Sequence, residues 1–341
     1  MPAPSRLILD GTALADNGRA LARLSGDAAC GAAVKADGYG LGAREVVRRL
    51  AAAGCRDFFV ATWAEAQVLS DAGVSLSVLH GVRVEDMPLA RDAIARPVLS
   101  TPAQVLRWRE ARLGACDVMV DTGMNRLGVS PDAVAAGLLN GLPIETLMSH
   151  LACADEDVAA NERQRAALAG MAGSTSARRL SLANSAGIAL GADYALDLTR
   201  PGLALYGGVP RGELAAVIRP VATIEAQVLQ VRDVPAGESV GYNATWTAAR
   251  DSRVAIVNLG YADGYRRAFS GRGRAFAGDD ALPVIGRVSM DLTALDATGV
   301  AVGEGDWLRF DRDLARAAAA SGVSQYELLT GLGQRFERRW I

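Results

Sequence analysis

GAAVKADGYGLGAREVVRRLAAAGCRDFFVAT, residues 31–62, decides the fold. It opens on the apolar run GAAVKA (31–36), closes on DFFVAT (57–62), and carries the helix-forming stretch AREVVRRLAAAG between them. Apolar character on consecutive residues marks a strand buried on both faces, as in a parallel sheet. Six more runs follow: LSVLHG (76–81), RPVLST (96–101), DVMVDT (117–122), ETLMSH (145–150), LSLANS (180–185) and LDLTRP (196–201). Helix candidates such as AEAQVLSDAG and PAQVLRWREARL separate them, with Thr62 and Thr101 placed as N-caps, the latter before Pro102. Eight βα units in succession predict an α/β fold with a (β/α)8 TIM-type barrel. An open doubly wound sheet is the competing arrangement. It is weakened by the absence of GxGxxG after the first strand.

Near Arg219-Pro220 the rhythm changes. VATIEAQVLQVRDV, SRVAIVNLGYADGY and LPVIGRVSMDLTALD are strand-like and carry Gly- and Pro-bearing turns. The expected organisation is a barrel over residues 1–218 and a mostly-β C-terminal domain over 219–341. SRLILD precedes the eight runs, so a first strand at 6–10 is available to pair with the C-terminal domain.

A length of 341 residues suits one large and one smaller domain. With 50% hydrophobic residues, 22% charged residues and net charge −2, nothing favours nucleic acid or an anionic membrane as partner. No segment has the length and apolarity of a membrane span, and MPAPSRLILDG lacks the apolar stretch of a secretory signal, so a cytoplasmic location is expected. Cys30, Cys55, Cys116 and Cys153 match no metal or redox spacing and read as buried small hydrophobes in a reducing compartment. With only His80 and His150, no metal site is expected.

Active-site residues of such barrels lie at the C-terminal ends of the strands. The first run ends in Lys35, the fifth leads into DTGMNRLG with Arg126, and the sixth ends in His150. The seventh ends in Asn184-Ser185 and the eighth in Arg200-Pro201-Gly202-Leu203. A cationic rim holding one lysine suits an anionic cofactor that needs an amine. The last two loops are the usual phosphate site, where Ser185 offers a hydroxyl and the amides after Gly202 can face an anion. Lysine is the side chain that condenses with an aldehyde cofactor. Position and chemistry name no reaction beyond this. Taken singly, each residue has a plainer explanation. Lys35 fits a solvated surface lysine, Arg126 and Arg200 fit rim salt bridges, and His150 fits a hydrogen-bonded structural histidine. Ser185 fits a helix cap. Tyr39 and Tyr261 fit half-buried packing aromatics, and Asp263-Gly264 fits a turn between strands. Their occurrence in order, each at a strand end, is what chance does not readily produce.

Together the segments resemble the alanine racemase family over nearly the whole chain. AVKADGYGLG is similar to the family's cofactor-lysine signature. VDTGMNRLG, MSHLACAD, LANSAG, LTRPGLALYG, VGYNATW, LGYADGY, GRVSMD and SQYELLTGLG resemble its later motifs, in the family's order. The resemblance implies a barrel joined to a β domain, pyridoxal 5'-phosphate, and a homodimer whose active sites are shared between subunits. By motif position Lys35 would carry the cofactor and act as one base, and Tyr261, from the partner, as the other. Tyr39, Ser185, Gly202, Leu203 and Tyr326 would hold the phosphate. Arg200 would face the pyridine nitrogen, supported by His150 and Asn184. Arg126 would contact the substrate carboxylate, and Met290 would line the pocket from the partner chain. The implied reaction interconverts L- and D-alanine by a two-base mechanism and supplies D-alanine to peptidoglycan.

Three positions depart from the family pattern. Many members have a lysine at the place of Met119, carbamylated to give an anion that positions the arginine matching Arg126. Leu41 stands where histidine is frequent, and Asn125 where glycine is common. Met119 keeps open a racemase for another or broader set of amino acids. A decarboxylase of the same plan is disfavoured by the GYADGY tyrosine and the arginine of LTRPG. A non-enzymatic cofactor carrier is disfavoured by the C-terminal domain.

Overall fold

The computed structural model describes residues 3–311 and 313–341. The chain divides into two units. One comprises Leu14–Leu205 with Val209–Ile218; the other comprises the segment ending at Ala13, Tyr206–Gly208 and Arg219–Ile341.

β1 (Ser5–Leu9) belongs to the second unit. The first unit holds a parallel sheet of short strands: β2 (Ala29–Cys30), β3 (Ala32–Ala33), β4 (Asp57–Val60), β5 (Ser75–Val78) and β6 (Arg96–Leu99). β7 (Cys116–Met119), β8 (Ile144–Met148), β9 (Arg179–Ser181) and β10 (Leu198–Thr199) complete it. Their order is β2-β10-β9-β8-β7-β6-β5-β4-β3. β2 and β3 are halves of one strand interrupted at Gly31, and they stand at opposite ends of that order. The chain that joins them therefore closes the sheet into an eight-stranded barrel. Gly31 N donates to Thr199 O (2.9 Å) on one side of the seam, and Val34 N to Phe59 O (2.8 Å) on the other. Only glycine fits at the interruption, because a Cβ there would lie 2.8 Å from Asp57 O and from the Phe59 ring.

The strands are buried on both faces, without alternation, as the consecutive apolar residues require. Phe59, Val98, Met119, Met148 and Leu198 fill the barrel as one cluster. Helices cover it, among them Ala43–Ala52, Trp63–Val68 and Pro102–Glu110. Thr62 and Thr101 start the last two by accepting from Glu65 N and Gln104 N. Arg179 crosses the N-terminal mouth to pair with Asp57 at 2.9 and 3.0 Å. At the C-terminal mouth, Arg211 after β10 pairs with Asp157 after β8 (2.7 Å).

The second unit is built on β11 (Ala222–Val234), a 13-residue strand. β14 (Ser252–Val257), β15 (Arg274–Ala277), β16 (Asp280–Ile285), β17 (Thr293–Asp296) and β18 (Trp307–Phe310) follow it, after the small hairpin of β12 (Ser239–Val240) and β13 (Trp246–Thr247). β14 pairs back onto β11, so six antiparallel strands close on themselves. A bulge between Val228 and Gln230 divides β11. One half serves β14, while Ala222–Ala226 bond antiparallel to β1. β1 in turn pairs parallel with β19 (Glu337–Trp340). Three of the four cysteines, Cys30, Cys55 and Cys153, are half-buried, and only Cys116 is buried. The expectation of buried thiols fails for those three because Cys30 ends the short strand β2 and Cys55 and Cys153 lie in loops. No helix among the described residues is long and apolar enough to cross a membrane.

Candidate active site

Lys35 follows β3 by one residue, Val34, and leads into an unusual turn. Ala36, Asp37, Gly38 and Tyr39 all have left-handed backbone, with φ of 53°, 53°, 62° and 56°. Each non-glycine residue there costs about 1–2 kcal/mol, so the turn must be held from outside. Gly38 N donates to Val34 O (2.9 Å) and Gly42 N to Asp37 O (2.9 Å). Ala43 N donates to Asp37 Oδ1 (2.8 Å), and Ala36 N to Glu65 Oε1 (2.8 Å). The other Glu65 oxygen accepts from Ala61 N (2.7 Å) at the end of β4. The turn buries Tyr39 and leaves the Lys35 tip open to solvent. The protein packed around that lysine, and then the Arg126 charge, draw its pKa below the ordinary amine value; Glu65 acts in the opposite direction.

At the ends of β9 and β10, Asn184 caps the next helix by accepting from Gly187 N (2.9 Å). Ser185 is therefore not the cap. Its hydroxyl instead accepts from the amides of Gly202 (2.9 Å) and Ala204 (3.1 Å), tying the two loops together. A Cβ at Gly202 would lie 2.2 Å from the Tyr39 hydroxyl, so glycine is what lets Tyr39 reach this loop. Leu203 is buried beside it. Arg200 is buried without a carboxylate in contact. It donates to Ser149 O (2.6 Å) and to the Ser181 hydroxyl, and its guanidinium lies over the Phe59 ring, 5.9 Å from the centroid. Burial lowers its pKa to about 10, which still leaves it charged near neutrality.

The DTGMNR loop is shaped by Asp121. Burial would raise its carboxyl, but the amides of Gly123, Asn125, Met124 and Arg126 hold it below the usual range. Arg126 is exposed, and no carboxylate among the described residues pairs with its side chain. His150 is half-buried. Burial, then the charges of Arg200, Arg126 and Lys35, lower its pKa to about 3, so the imidazole is neutral. All three cations thus act on His150, and Arg126 acts on Lys35 as well. Met119 points into the barrel cluster and is 7% exposed.

In the second unit, Tyr261 and Met290 are neighbours. Tyr261 N donates to Ser289 O and Ala262 N to Met290 O, each at 3.0 Å. Gly260 permits this approach, since a Cβ there would lie 2.2 Å from Met290 O. Asp263 is fully buried beneath the pair. It accepts from Gly260 N (2.9 Å) and from Arg335 Nε (2.7 Å). Asp263-Gly264 lies in a single 3-10 turn, Tyr261–Asp263 with its cap, rather than at the tip of a hairpin. Tyr326 is exposed on the helix Gln325–Thr330. The structure adds two residues that sequence reading passed over, Glu65 and Asp121, and gives Asp263, read there only as a turn residue, a buried role under the Tyr261 loop. Glu65 was detectable as the fourth residue of T-x-x-E after a strand, a capping-box spacing.

Residues 9–210 match the family model described as the alanine racemase N-terminal domain, and residues 221–340 match the alanine racemase C-terminal domain. Alanine racemase from Acidiphilium cryptum is 43% identical, over 97% of each chain. Alanine racemase from Methylobacterium nodulans is 42% identical, over 99% of this chain and 96% of that one. The crystal structure of alanine racemase from Bartonella henselae with covalently bound pyridoxal phosphate superimposes with a TM-score of 0.93 at 32% identity, covering all of both chains.

Proposed function

The chain belongs to the alanine racemase family, and from that premise we propose that it is a pyridoxal-phosphate-dependent isomerase interconverting L- and D-alanine. The observation that carries this reading is the convergence of Lys35, Arg126, Arg200 and a neutral His150 on the C-terminal mouth of the barrel. The residues present fit the cofactor. Tyr39 and Ser185 gather around Gly202, where the missing side chain leaves a cradle that a Cβ would fill. With Leu203 and Tyr326 they would hold the phosphate. Lys35 supplies the amine for the aldehyde. Arg200, with Asn184 and His150 beside it, would face the ring nitrogen, and being charged it offers that atom hydrogen-bond donors rather than a proton.

When bound, the cofactor supplies the conjugated electron sink that makes the substrate Cα proton removable. Lys35 Nζ removes or returns that proton on one face, and Tyr261 Oη does so on the other. Proton transfer by a positioned group contributes about 10²–10⁴-fold. A lysine serves as base only if its pKa is low, and both the protein packed around Lys35 and the Arg126 charge act in that direction, against Glu65. Arg126 would orient the substrate carboxylate.

The functional form would be a homodimer, with Tyr261 and Met290 completing the partner's site. In support, Tyr242, Tyr261, Met290 and Leu292 all stand exposed on the β unit, 39–66% accessible, where monomers rarely gather large apolar groups. Four free thiols suit a reducing cytoplasm, and D-alanine supply to peptidoglycan is the role we assign. One observation favours a second reading, a racemase of broader range. Met119 is apolar and packed in the barrel cluster, and no carboxylate among the described residues pairs with the Arg126 guanidinium as an anion at 119 would.

The test uses purified protein incubated with L-alanine in deuterated water, following optical rotation and Cα labelling. A visible absorption band lost in Lys35→Ala, with labelled D-alanine formed and Tyr261→Phe inactive in both directions, supports the reading. Racemisation intact in Tyr261→Phe would refute the two-base assignment. A band without racemisation of any amino acid would refute the activity.

A further inference from the structure

We infer that Glu65, a helix residue after β4, is the positioning residue that holds Lys35 at the barrel mouth. The inference rests on the reading of Lys35 as the cofactor-bearing base. Ala36, the residue after Lys35, is left-handed, and its amide donates to Glu65 Oε1 at 2.8 Å. The opposite oxygen accepts from Ala61 N (2.7 Å) and Thr62 N (3.4 Å), where β4 ends. One carboxylate therefore bolts the turn that follows the first barrel strand to the end of its neighbour.

An ordinary capping-box glutamate reaches back only to its own N-cap amide. Glu65 does that and also spans 29 residues to Ala36. The additional bond falls on the first of the four left-handed residues, where the backbone departs from its preferred region. Without it, Ala36 and Asp37 lose an external restraint on a conformation that non-glycine residues avoid. Lys35 lies between this turn and the fixed Val34 N–Phe59 O bond, so its Cα and the direction of its stem are set by both ends. The charged groups acting on Lys35 are Arg126 from the loop after β7 and Glu65 itself; Lys35 in turn acts on His150 after β8.

Neither obvious replacement can do both jobs. Glutamine turns an NH2 toward one of two amide donors, and aspartate is one methylene too short to reach both. Thr62→Ala serves as the contrast. It removes the hydroxyl that accepts from Glu65 N but leaves every Glu65 carboxylate bond in place.

The experiment compares the holoenzyme with its Glu65→Gln, Glu65→Asp and Thr62→Ala variants, by hydrogen exchange of the peptide spanning 34–42 and by racemisation kinetics. Both Glu65 variants should exchange at least ~10-fold faster in that peptide. Their kcat should fall about 10–100-fold with KM nearly unchanged, the loss expected when a reacting group shifts by about 1 Å. Thr62→Ala should lose thermal stability while keeping wild-type kcat and wild-type exchange in that peptide. Wild-type exchange at 34–42 in the Glu65 variants, or kcat within twofold of wild type, overturns the inference. So does an equal loss of kcat in Thr62→Ala, which would reduce Glu65 to a helix cap. Should the unmodified protein fail to racemise, the proposed activity falls, and the exchange measurement still decides whether Glu65 holds the turn.

Discussion

Gly202→Ala isolates the contact between the β10 loop and the Lys35 turn. Gly202 does not have a left-handed backbone, so alanine is sterically tolerated by the chain itself and keeps the amide that donates to Ser185. The whole effect is the new methyl. It would lie 2.2 Å from Tyr39 Oη and 2.9 Å from Cζ, where ordinary contact begins at 3.4 Å. The hydroxyl must therefore retreat by 3.4 − 2.2 = 1.2 Å and Cζ by 3.4 − 2.9 = 0.5 Å. Tyr39 is buried and its backbone is pinned in the left-handed region, so it cannot swing freely into solvent. Overpacking of this kind costs about 1–3 kcal/mol. If Tyr39 holds its place, folding stability falls by that amount. If it yields, cofactor affinity falls by about 5- to 140-fold at 1.4 kcal/mol per decade. Titration with pyridoxal phosphate followed by visible absorbance, beside urea unfolding of the same samples, captures both. Gly212→Ala, with nothing within 4 Å of its Cβ, is the control and should change neither. Wild-type affinity together with wild-type stability in Gly202→Ala would refute the placement of Tyr39 against this loop.

Two further outcomes follow from the charges. His150 titrates at about 3 in the folded chain against 6.5 unfolded. Above pH 6.5 neither state binds the proton. Below it the unfolded chain takes up a proton that the folded chain refuses, so stability should fall from 6.5 down to about 3, and His150→Gln should flatten that part of a urea-unfolding profile. Asp263→Asn should lower stability by about 1–3 kcal/mol, because Asn cannot accept from both Gly260 N and Arg335 through two oxygens; calorimetry checks this, and a loss of racemisation beyond what the unfolded fraction explains would follow from the displaced Tyr261 loop.

The barrel was legible because parallel strands are buried on both faces, and runs such as DFFV and DVMV show it without any periodicity to decode. The first run was not read correctly in detail. GAAVKA breaks at Gly31 and its strand character ends at Ala33, since the barrel closes through that glycine and a left-handed turn begins at Ala36. Nothing in Ala36-Asp37 signals positive φ, because the force that selects it is a carboxylate 29 residues away. Long-range polar contacts of this kind leave no local pattern. Ser185 and Asn184 show the same limit. Both are good caps by type, and only the Gly202 and Ala204 amides decide which is free to cap. The closed antiparallel sheet was visible as strands but not as a closure, which depends on one bulge in the long β11.

Position 119 ties the electrostatics of the mouth to the substrate it accepts. Lys35, Arg126 and Arg200 are three cations around a neutral His150, and the one carboxylate acting on Lys35, Glu65, has both oxygens engaged by amides. Such a rim is stable only against an anionic partner, and a phosphate together with a substrate carboxylate meets that need. The family pattern at 119 would add a fixed anion and hold the neighbouring arginine in one pose. Here Met119 instead completes an apolar layer with Phe59, Val98, Met148 and Leu198, where an unpaired charge would be costly to bury. Arg126 is thereby left at the end of a loop whose shape comes from Asp121 and not from its own guanidinium. Under the broader-range reading proposed above, a loop-held Arg126 with no fixed anion beside it would follow the carboxylate of larger amino acids, and racemisation assayed across a panel of amino acids checks it: turnover of alanine alone would refute that reading.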